Sequence, residues 1–459
     1  MANQKASVSQ YIAIGFMLFA LFFGAGNLIF PAQLGQQAGA EFWPAIIGFL
    51  VTGVGLPLLG VIAIGYSGSN NLQELSSRVH PVYGIFFTSL LYLTIGPFFA
   101  IPRTATVPYE TSIAPLLGGM NPQFGLFLFS LVFFVLTLWL ALNPNKIVDR
   151  IGKVLSPALV FLLLVLIVLA LINPISSFSA PQGSYATGAF TTGFLEGYNT
   201  MDALASLVFA IIVIQAVKSL GIKSEKGILV ATSKSGIVAA ILLGVVYVGI
   251  AFMGGISVNE FGYFENGGPV LSSVTGYYLG AIGNAFLAII MFLACLTTST
   301  GLIASCAEYF NKLLPKFSYK TLVVFFTLIS FIIANFGLTN IITFSIPVLM
   351  FLYPLTIVLM LLTFISPLFQ HSRIVYAGTI AVTFFFAIID GLTTLFSSIG
   401  VDNPVWLQST INFLTDVLPL YSDGLGWFIP ALVAIAIFWI ISKTFVSEKS
   451  SMTNEIVNK

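Results

Sequence analysis

The feature that most constrains this chain is a series of long apolar runs that extends from one end to the other. Twelve runs have about the 17–25 residues that cross a bilayer as a helix. Only 7% of the residues are charged, against about 25% in soluble domains, so most of the surface must face lipid. The sequence predicts an all-α membrane protein with twelve transmembrane helices in one domain. The runs lie near Tyr11–Phe30, Pro44–Gly65, Val82–Arg103, Phe124–Leu142, Leu155–Ile172, Thr192–Val217, Gly227–Gly255, Gly280–Ala304, Thr321–Phe336, Ile341–Ile365, Ile374–Ser397 and Gly426–Ser442.

The basic residues predict how these helices are oriented. Twelve spans place both termini on one side, and sixteen of the seventeen basic residues then fall on that side. Because positively charged loops stay inside, we expect both termini to be cytoplasmic and the protein to span the cell membrane. Arg103 is the exception. The sixteen are Lys5, Arg78, Lys146, Arg150, Lys153, Lys218, Lys223, Lys226, Lys234, Lys312, Lys316, Lys320, Arg373, Lys443, Lys449 and Lys459.

Charge and motifs argue against several classes of function. The net charge of +1 gives no reason to expect a nucleic-acid partner. We find no metal-ligand cluster, no phosphate-binding loop and no arrangement of nucleophile and base, which argues against an enzyme and against ATP-driven transport. We expect neither a cofactor nor an obligate protein partner. The expected contacts are membrane lipid and a small molecule.

The first span carries residues that interrupt a membrane helix. Gly24, Gly26 and Asn27 lie close together, and Pro31 follows soon after. A break exposes backbone polar groups, so it persists where it lines a cavity, and there it can hold an ion. Close packing of small residues would also explain the glycines. The carboxamide of Asn27, however, needs a partner within the hydrocarbon.

The sixth span contains a second interruption, with the sequence Gly197-Tyr198-Asn199-Thr200-Met201-Asp202. A carboxylate inside a span is costly, and a functional role is its default explanation. The alternative is that Asp202 caps a half-helix or pairs locally with Tyr198 or Thr200. Spans one and six correspond if the chain contains two five-helix repeats plus two more helices. Paired breaks at corresponding positions indicate the central site of a transporter.

Four consecutive hydroxyl side chains, Thr297-Thr298-Ser299-Thr300, lie in the eighth span. Hydroxyls in a membrane helix commonly bond back to their own backbone. Oxygen donors of this kind also suit a small hard cation. Both explanations remain open from the sequence.

Three further charged residues lie within spans or at their ends. Arg103 and Glu110 are seven residues apart, and on a continuous helix they would share a face. We therefore predict a structural or gating ion pair between them, although Pro102 and Pro108 interrupt this region. Asp390 lies in span eleven, where we predict a buried carboxyl with a structural role.

The interrupted segments resemble those of known transporters. Gly24–Pro31 and Ala294–Ser299 are similar to the sodium-site segments of LeuT-type amino-acid transporters, and Arg150–Pro157 also resembles that group. The similarity to the branched-chain amino acid:cation symporter family is closer and covers essentially the whole chain. It rests on three motifs in order, Leu21–Gln36, Gly96–Thr106 and Thr200–Ala205.

The resemblance implies a fold and an activity. The fold would be LeuT-type, with inverted five-helix repeats at 11–173 and 192–365 and with spans one and six discontinuous. Spans eleven and twelve would occupy 374–442, and a cytoplasmic tail would occupy 443–459. The activity would be symport, in which a sodium or proton gradient drives import of leucine, isoleucine and valine.

The resemblance also implies where the substrate binds. The backbone N–H groups of Ala25 and Gly26 would bind its carboxylate, since a helix N-terminus offers free donors and a positive dipole end. Carbonyls around Phe22 and Asn199 would bind its ammonium group. Asp202 is a departure from the LeuT-type pattern. We place it in the substrate site, where it would balance the ammonium group or a cation, or carry a proton.

The remaining oxygen donors indicate which ion is coupled to transport. Neutral hydroxyls suit sodium and cannot hold a proton at neutral pH, so we favour sodium. Asp202 keeps open proton-coupled import of the same or another neutral amino acid. A channel is a further alternative, but it needs a continuous pore. The implied sodium ligands are Ala20, Phe23, Ala294, Thr297 and Thr298, and a second cation site would use Asn27 and Thr200.

Overall fold

Every regular element in the described part of the chain is helical. The computed structural model describes residues 7–69, 71–116, 121–142, 146–222 and 224–457. Long apolar sequences form helices here because a helix satisfies its own backbone hydrogen bonds. The α-helices are α1 (Val8–Phe22), α2 (Ala25–Ala38), α3 (Phe42–Leu50), α4 (Leu56–Ser67), α5 (Leu72–Ser76), α6 (Pro81–Leu93), α7 (Ala100–Pro108), α8 (Pro122–Leu142), α9 (Lys146–Ile172), α10 (Tyr185–Glu196), α11 (Asp202–Ser219), α12 (Glu225–Gly255), α13 (Val258–Phe261), α14 (Gly268–Leu313), α15 (Tyr319–Ala334), α16 (Leu338–Ile365), α17 (Arg373–Ser398), α18 (Val405–Val417) and α19 (Phe428–Val457).

Many of these helices have the length and composition of membrane spans. Among the described residues, eight helical segments qualify, and four shorter apolar helices accompany them. One of the eight, Ala25–Ser67, joins α2 to α4, whereas α1 is counted apart. The number of crossings therefore does not follow from these segments alone, and twelve stays a prediction. Large apolar side chains such as Phe127, Val132 and Val135 are exposed on α8, as lipid contact requires.

The chain leaves helical geometry in both predicted interruptions. Between α1 and α2, Phe23 and Gly24 are extended. Between α10 and α11, Gly197–Thr200 forms a 3-10 turn and Met201 takes a left-handed conformation with φ of 63°. A non-glycine residue in that region costs roughly 1–2 kcal/mol, so the surrounding packing must hold it.

Each interrupted pair of helices packs against helices from the other half of the chain. α1 and α2 contact α12, while α10 contacts α3 and α11 contacts α4. Glycines bring the backbones close. A Cβ at Gly35 of α2 would lie 1.8 Å from the Ala251 carbonyl oxygen, and one at Gly193 of α10 would lie 2.0 Å from that of Ala45. Small residues allow such approach in membranes.

This reciprocal packing brings the two breaks together in the interior. The repeat boundaries and their inverted relation stay predictions, and so does the cytoplasmic placement of the termini. Lys5, Lys223 and Lys459, on which the orientation partly depends, lie outside the described residues. The side chains of Lys146, Arg150, Lys153 and Lys449 lie outside them too, as do those of the Arg150–Pro157 motif.

Candidate functional site

A small cavity lies where the two breaks meet α7 and α14. Its volume is about 50 Å³, enough for a few water molecules, and we call it the central cavity. Seven of the predicted substrate- and cation-binding residues line it, namely Phe22, Ala25, Gly26, Asn27, Thr200, Asp202 and Thr298. Arg103 and Thr104 from α7 also contribute. The remaining lining is mostly apolar and includes Leu21, Ile95, Ala100, Met201, Ala205, Phe209 and Leu302.

The first break leaves backbone groups available beside this cavity. Gly24 N–H donates to the side-chain oxygen of Asn27 at 2.9 Å. In a continuous helix that N–H would instead reach the carbonyl of Ala20, which is therefore left without its helical donor. Ala25 and Gly26 are the first two residues of α2, so their N–H groups have no partner within the helix. The break thus offers backbone N–H donors at the start of α2 and a backbone carbonyl acceptor near the end of α1.

The second break carries a carboxylate that binds the first break. Asp202 is the first residue of α11 and is 2% exposed. Its Oδ2 accepts hydrogen bonds from Asn27 Nδ2 at 2.6 Å and from the Tyr247 hydroxyl at 2.5 Å. Asn27 Nδ2 also donates to the Tyr247 hydroxyl. These three side chains, from α2, α11 and α12, form what we call the carboxylate cluster.

The hydroxyl run of α14 lies next to the first break. Thr298 Cγ2 is 3.5 Å from the position of a Cβ on Gly24. The hydroxyls of Thr297 and Thr298 both donate to the Ala294 carbonyl, at 2.8 and 3.1 Å. Back-bonding is therefore present, and each hydroxyl keeps lone pairs that can accept or bind a cation. Thr298 lines the central cavity, whereas Thr297 and Ala294 do not.

The structure contradicts the predicted ion pair between Arg103 and Glu110. Arg103 donates to the Asn199 carbonyl at 2.8 Å and to Ser345 Oγ, and its guanidinium lies 5.1 Å from the centroid of the Phe30 ring. Glu110 instead accepts from Asn266 Nδ2 at 2.8 Å and from Leu338 N–H at 3.1 Å. A π-helical stretch, Tyr109–Ile113, follows α7. Its wider turn removes the shared face that the seven-residue spacing assumed.

The same contact changes the role predicted for Asn199. Its carbonyl, expected to bind the substrate ammonium group, holds the Arg103 guanidinium instead, and a cation already bound there repels a second one. Phe22 remains at the cavity wall. Ala20 lies in the last turn of α1, and Phe23 is extended within the break; neither lines the cavity. Asp390 lies in α17 and does not line it.

Sequence reasoning missed two residues near this site. Tyr247 is fully buried in α12, and a single tyrosine in an apolar span gives little signal. Glu196 is the last residue of α10. It lines a larger space of about 440 Å³, here called the lateral cavity, together with Asn199, Asp423 and several hydroxyl side chains of α10. Its position inside the predicted sixth span was the available signal.

Comparison with known proteins identifies the family. The sequence pattern described as "Branched-chain amino acid transport protein" matches residues 7–445. The branched-chain amino acid permease BrnQ of Bacillus subtilis is 46% identical over 96% of this chain and 98% of its own length. The branched-chain amino acid transport system 2 carrier protein of Pseudomonas aeruginosa is 39% identical, over 93% of this chain and 94% of its own.

A solved structure resembles the fold. Mhp1, a nucleobase-cation-symport-1 family transporter in a closed conformation with bromovinylhydantoin bound, superposes with a TM-score of 0.62. The match covers 96% of this chain and 93% of Mhp1 at 15% identity, so it supports the fold alone. The relatives and this neighbour are transporters rather than enzymes, as the sequence predicted. The chain has a LeuT-type fold and belongs to the family of branched-chain amino acid transport proteins.

Proposed function

We propose that this protein is a secondary active symporter that imports leucine, isoleucine and valine across the cell membrane with a cation, preferably sodium. The observation that carries the proposal is the central cavity, which joins the free N-terminus of α2 to a mostly apolar wall. The N–H groups of Ala25 and Gly26 suit a carboxylate. Side chains such as Leu21, Ile95 and Phe209 suit a branched aliphatic group. Relatives named as branched-chain amino acid permeases support this substrate class.

The sodium site would lie between the first break and α14. The Ala20 carbonyl has lost its helical donor to Asn27, and the Thr298 hydroxyl lies beside Gly24. Neutral oxygens of this kind bind sodium without a change of protonation. Phe23, Ala294 and Thr297 would complete the ligand set, since their backbone or hydroxyl oxygens lie in the same two segments.

Proton coupling is the second candidate, and the carboxylate cluster favours it. Asp202 is buried, lines the central cavity and has hydrogen-bond donors on one oxygen. A buried carboxyl that gains and loses a proton is a common element of proton-driven transporters. If the cluster serves sodium instead, Asp202 keeps its charge, and Asn27 and Thr200 help to form a second cation site.

Gradient-driven uptake separates these proposals. Purified protein is reconstituted in vesicles, and uptake of radiolabelled leucine is followed with a sodium gradient at equal pH or with a pH gradient in sodium-free buffer. We expect the sodium gradient alone to drive accumulation. Accumulation under the pH gradient only would support proton coupling. A channel would equilibrate leucine without accumulating it. Absence of leucine uptake under every gradient would refute the proposed function.

A further inference from the structure

Arg103 carries its charge within the protein, at the wall of the central cavity. The residue is 2% exposed and lines the cavity. Its three hydrogen-bonding and ring partners are the Asn199 carbonyl, Ser345 Oγ and the Phe30 ring. All three are uncharged, and its Nε–H has no hydrogen-bond partner among the described residues. Glu196 acts on the guanidinium electrostatically, but none of the groups that Arg103 contacts directly carries a negative charge. A buried charge that no anion contacts is unfavourable, so a site of this kind attracts an anion.

The guanidinium and the N-terminus of α2 approach the same part of the cavity. The Phe30 ring, which packs under the guanidinium, comes within 3.2 Å of a Cβ position on Gly26. The Thr200 carbonyl oxygen lies 3.6 Å from that position, and the carbonyl of the preceding residue, Asn199, holds Arg103. The Arg103 guanidinium and the N-terminus of α2 both attract anions, and both therefore lie next to the consecutive residues Asn199 and Thr200.

We propose that Arg103 binds the carboxylate of the transported amino acid together with the free N–H groups of α2, and that it makes the carboxylate a requirement for transport. This inference rests on the proposed function and names the group that recognises one end of the substrate. Arginine presents a planar fork that matches a carboxylate. The bonds to Asn199 and Ser345 hold the fork in place before substrate arrives, which reduces the entropic cost of binding.

Glu196 supplies the competing explanation. It lies at the end of α10 and acts on the guanidinium electrostatically, although the described side chains show no hydrogen bond between the two. If Arg103 only neutralised Glu196, replacing either residue would disturb the same local structure. All ligands would then lose affinity to a similar degree, with or without a carboxylate.

The test compares leucine with leucinamide, which keeps the aliphatic side chain and the ammonium group but lacks the carboxylate. Binding to purified full-length protein is measured by the ligand-dependent rise in melting temperature, which reports both ligands directly. For Arg103→Gln we expect leucine affinity to fall by roughly 10- to 100-fold, the usual range for loss of a charged hydrogen bond. Leucinamide affinity should change by less than about threefold on the same scale. Glu196→Gln should preserve the preference for leucine.

Two results would overturn the proposal. One is wild-type leucine affinity in Arg103→Gln, and the other is an equal loss for leucine and leucinamide. If Arg103→Gln does not fold, Arg103→Lys decides the matter, because it keeps the charge and loses the fork. We expect it to weaken leucine alone, and an equal weakening of both ligands would refute the role. Failure of the proposed function looks different, since the wild type would then accumulate no leucine in vesicles.

Discussion

Each of the two helix breaks places the N-terminus of a helix at the central cavity, but the two present groups of opposite charge to it. The first break exposes the N–H groups of Ala25 and Gly26 at the start of α2, with no acidic residue in its first turn. The second starts α11 with Asp202, so its N-terminus already has an acidic side chain. Helix N-termini favour negative charge. The N-terminus of α11 has the carboxyl group of Asp202, whereas the N-terminus of α2 has no acidic side chain of its own. A zwitterionic substrate needs such a pair of unlike ends.

The breaks also differ in what holds their backbone. The first takes extended conformations at Phe23 and Gly24, which cost little. The second holds a left-handed Met201 in place. Both are then fixed by close helix packing across the two halves, through glycines of α2 and α12 on one side and of α3 and α10 on the other. Substitutions can therefore test the packing, the charge and the oxygen donors separately.

The largest effect should come from removing a packing glycine. Gly35→Ala adds a Cβ that would lie 1.8 Å from the Ala251 carbonyl oxygen. Backbone atoms cannot move aside as a flexible side chain does, so we expect destabilisation at or above the roughly 1–3 kcal/mol of ordinary overpacking. The measurements are the yield of monodisperse protein and its melting temperature in detergent.

Gly65→Ala is the matched control, since the nearest atom to its added Cβ is 4.0 Å away. It lies in α4, where alanine is the better helix former by roughly 0.5–1 kcal/mol. A melting temperature for Gly35→Ala equal to that of Gly65→Ala would mean that α2 does not depend on this approach to α12.

The next largest effect should come from the charge at the second break. Asp202→Asn preserves size but removes the anion that Asn27 and Tyr247 hold. Because each bond to a charged group is worth about 1.5–3 kcal/mol, we expect leucine uptake to fall by roughly 100-fold while the protein still inserts. Asp390 of α17 does not line the central cavity, so Asp390→Asn should retain uptake. Equal activity in the two variants would reduce Asp202 to a helix cap.

A smaller effect is expected from the hydroxyl that completes the carboxylate cluster. Tyr247→Phe removes the donor to Asp202 and keeps the ring packed against Phe49, with centroids 5.3 Å apart. Loss of one hydrogen bond to a charged group should lower coupled uptake by about tenfold. Tyr376→Phe removes an equally buried hydroxyl that donates to the neutral Leu362 carbonyl. Similar uptake in both variants would exclude Tyr247 from the site.

The sequence predicted the residues that meet at the breaks better than the contacts they make. The polar side chains of Asn27 and Asp202 are costly in a hydrocarbon environment, so their presence alone pointed to a cavity. Seven of the predicted substrate- and cation-binding residues do line one. The contact between Arg103 and Asn199 could not be predicted, because the face that each residue of α7 presents depends on the π-helical turns beside it.

Tyr247 is a buried hydrogen-bonding residue that the sequence did not indicate. Tyrosine is frequent near membrane interfaces, so its place in an apolar run does not reveal a buried hydrogen bond. Its role arises only when α12 packs on α2 and brings the hydroxyl to Asn27 and Asp202. Contacts between residues 220 positions apart in the chain depend on tertiary packing, which local patterns do not encode.

The smallest effect tests whether the hydroxyls of α14 bind a cation at the first break or only their own helix. Thr298→Ala removes one neutral oxygen beside Gly24, and water can partly replace it, so a loss of about 1 kcal/mol is expected. The sodium concentration for half-maximal leucine uptake should then rise roughly fivefold, with no change in melting temperature. Thr300→Ala is the control, because Thr300 is buried in the same helix, donates to the Leu296 carbonyl at 2.7 Å and lies outside the central cavity. If back-bonding were the only role of these hydroxyls, both variants would keep the wild-type sodium dependence. A rise confined to Thr298→Ala would assign the cation to the first break and leave the second to the carboxylate cluster.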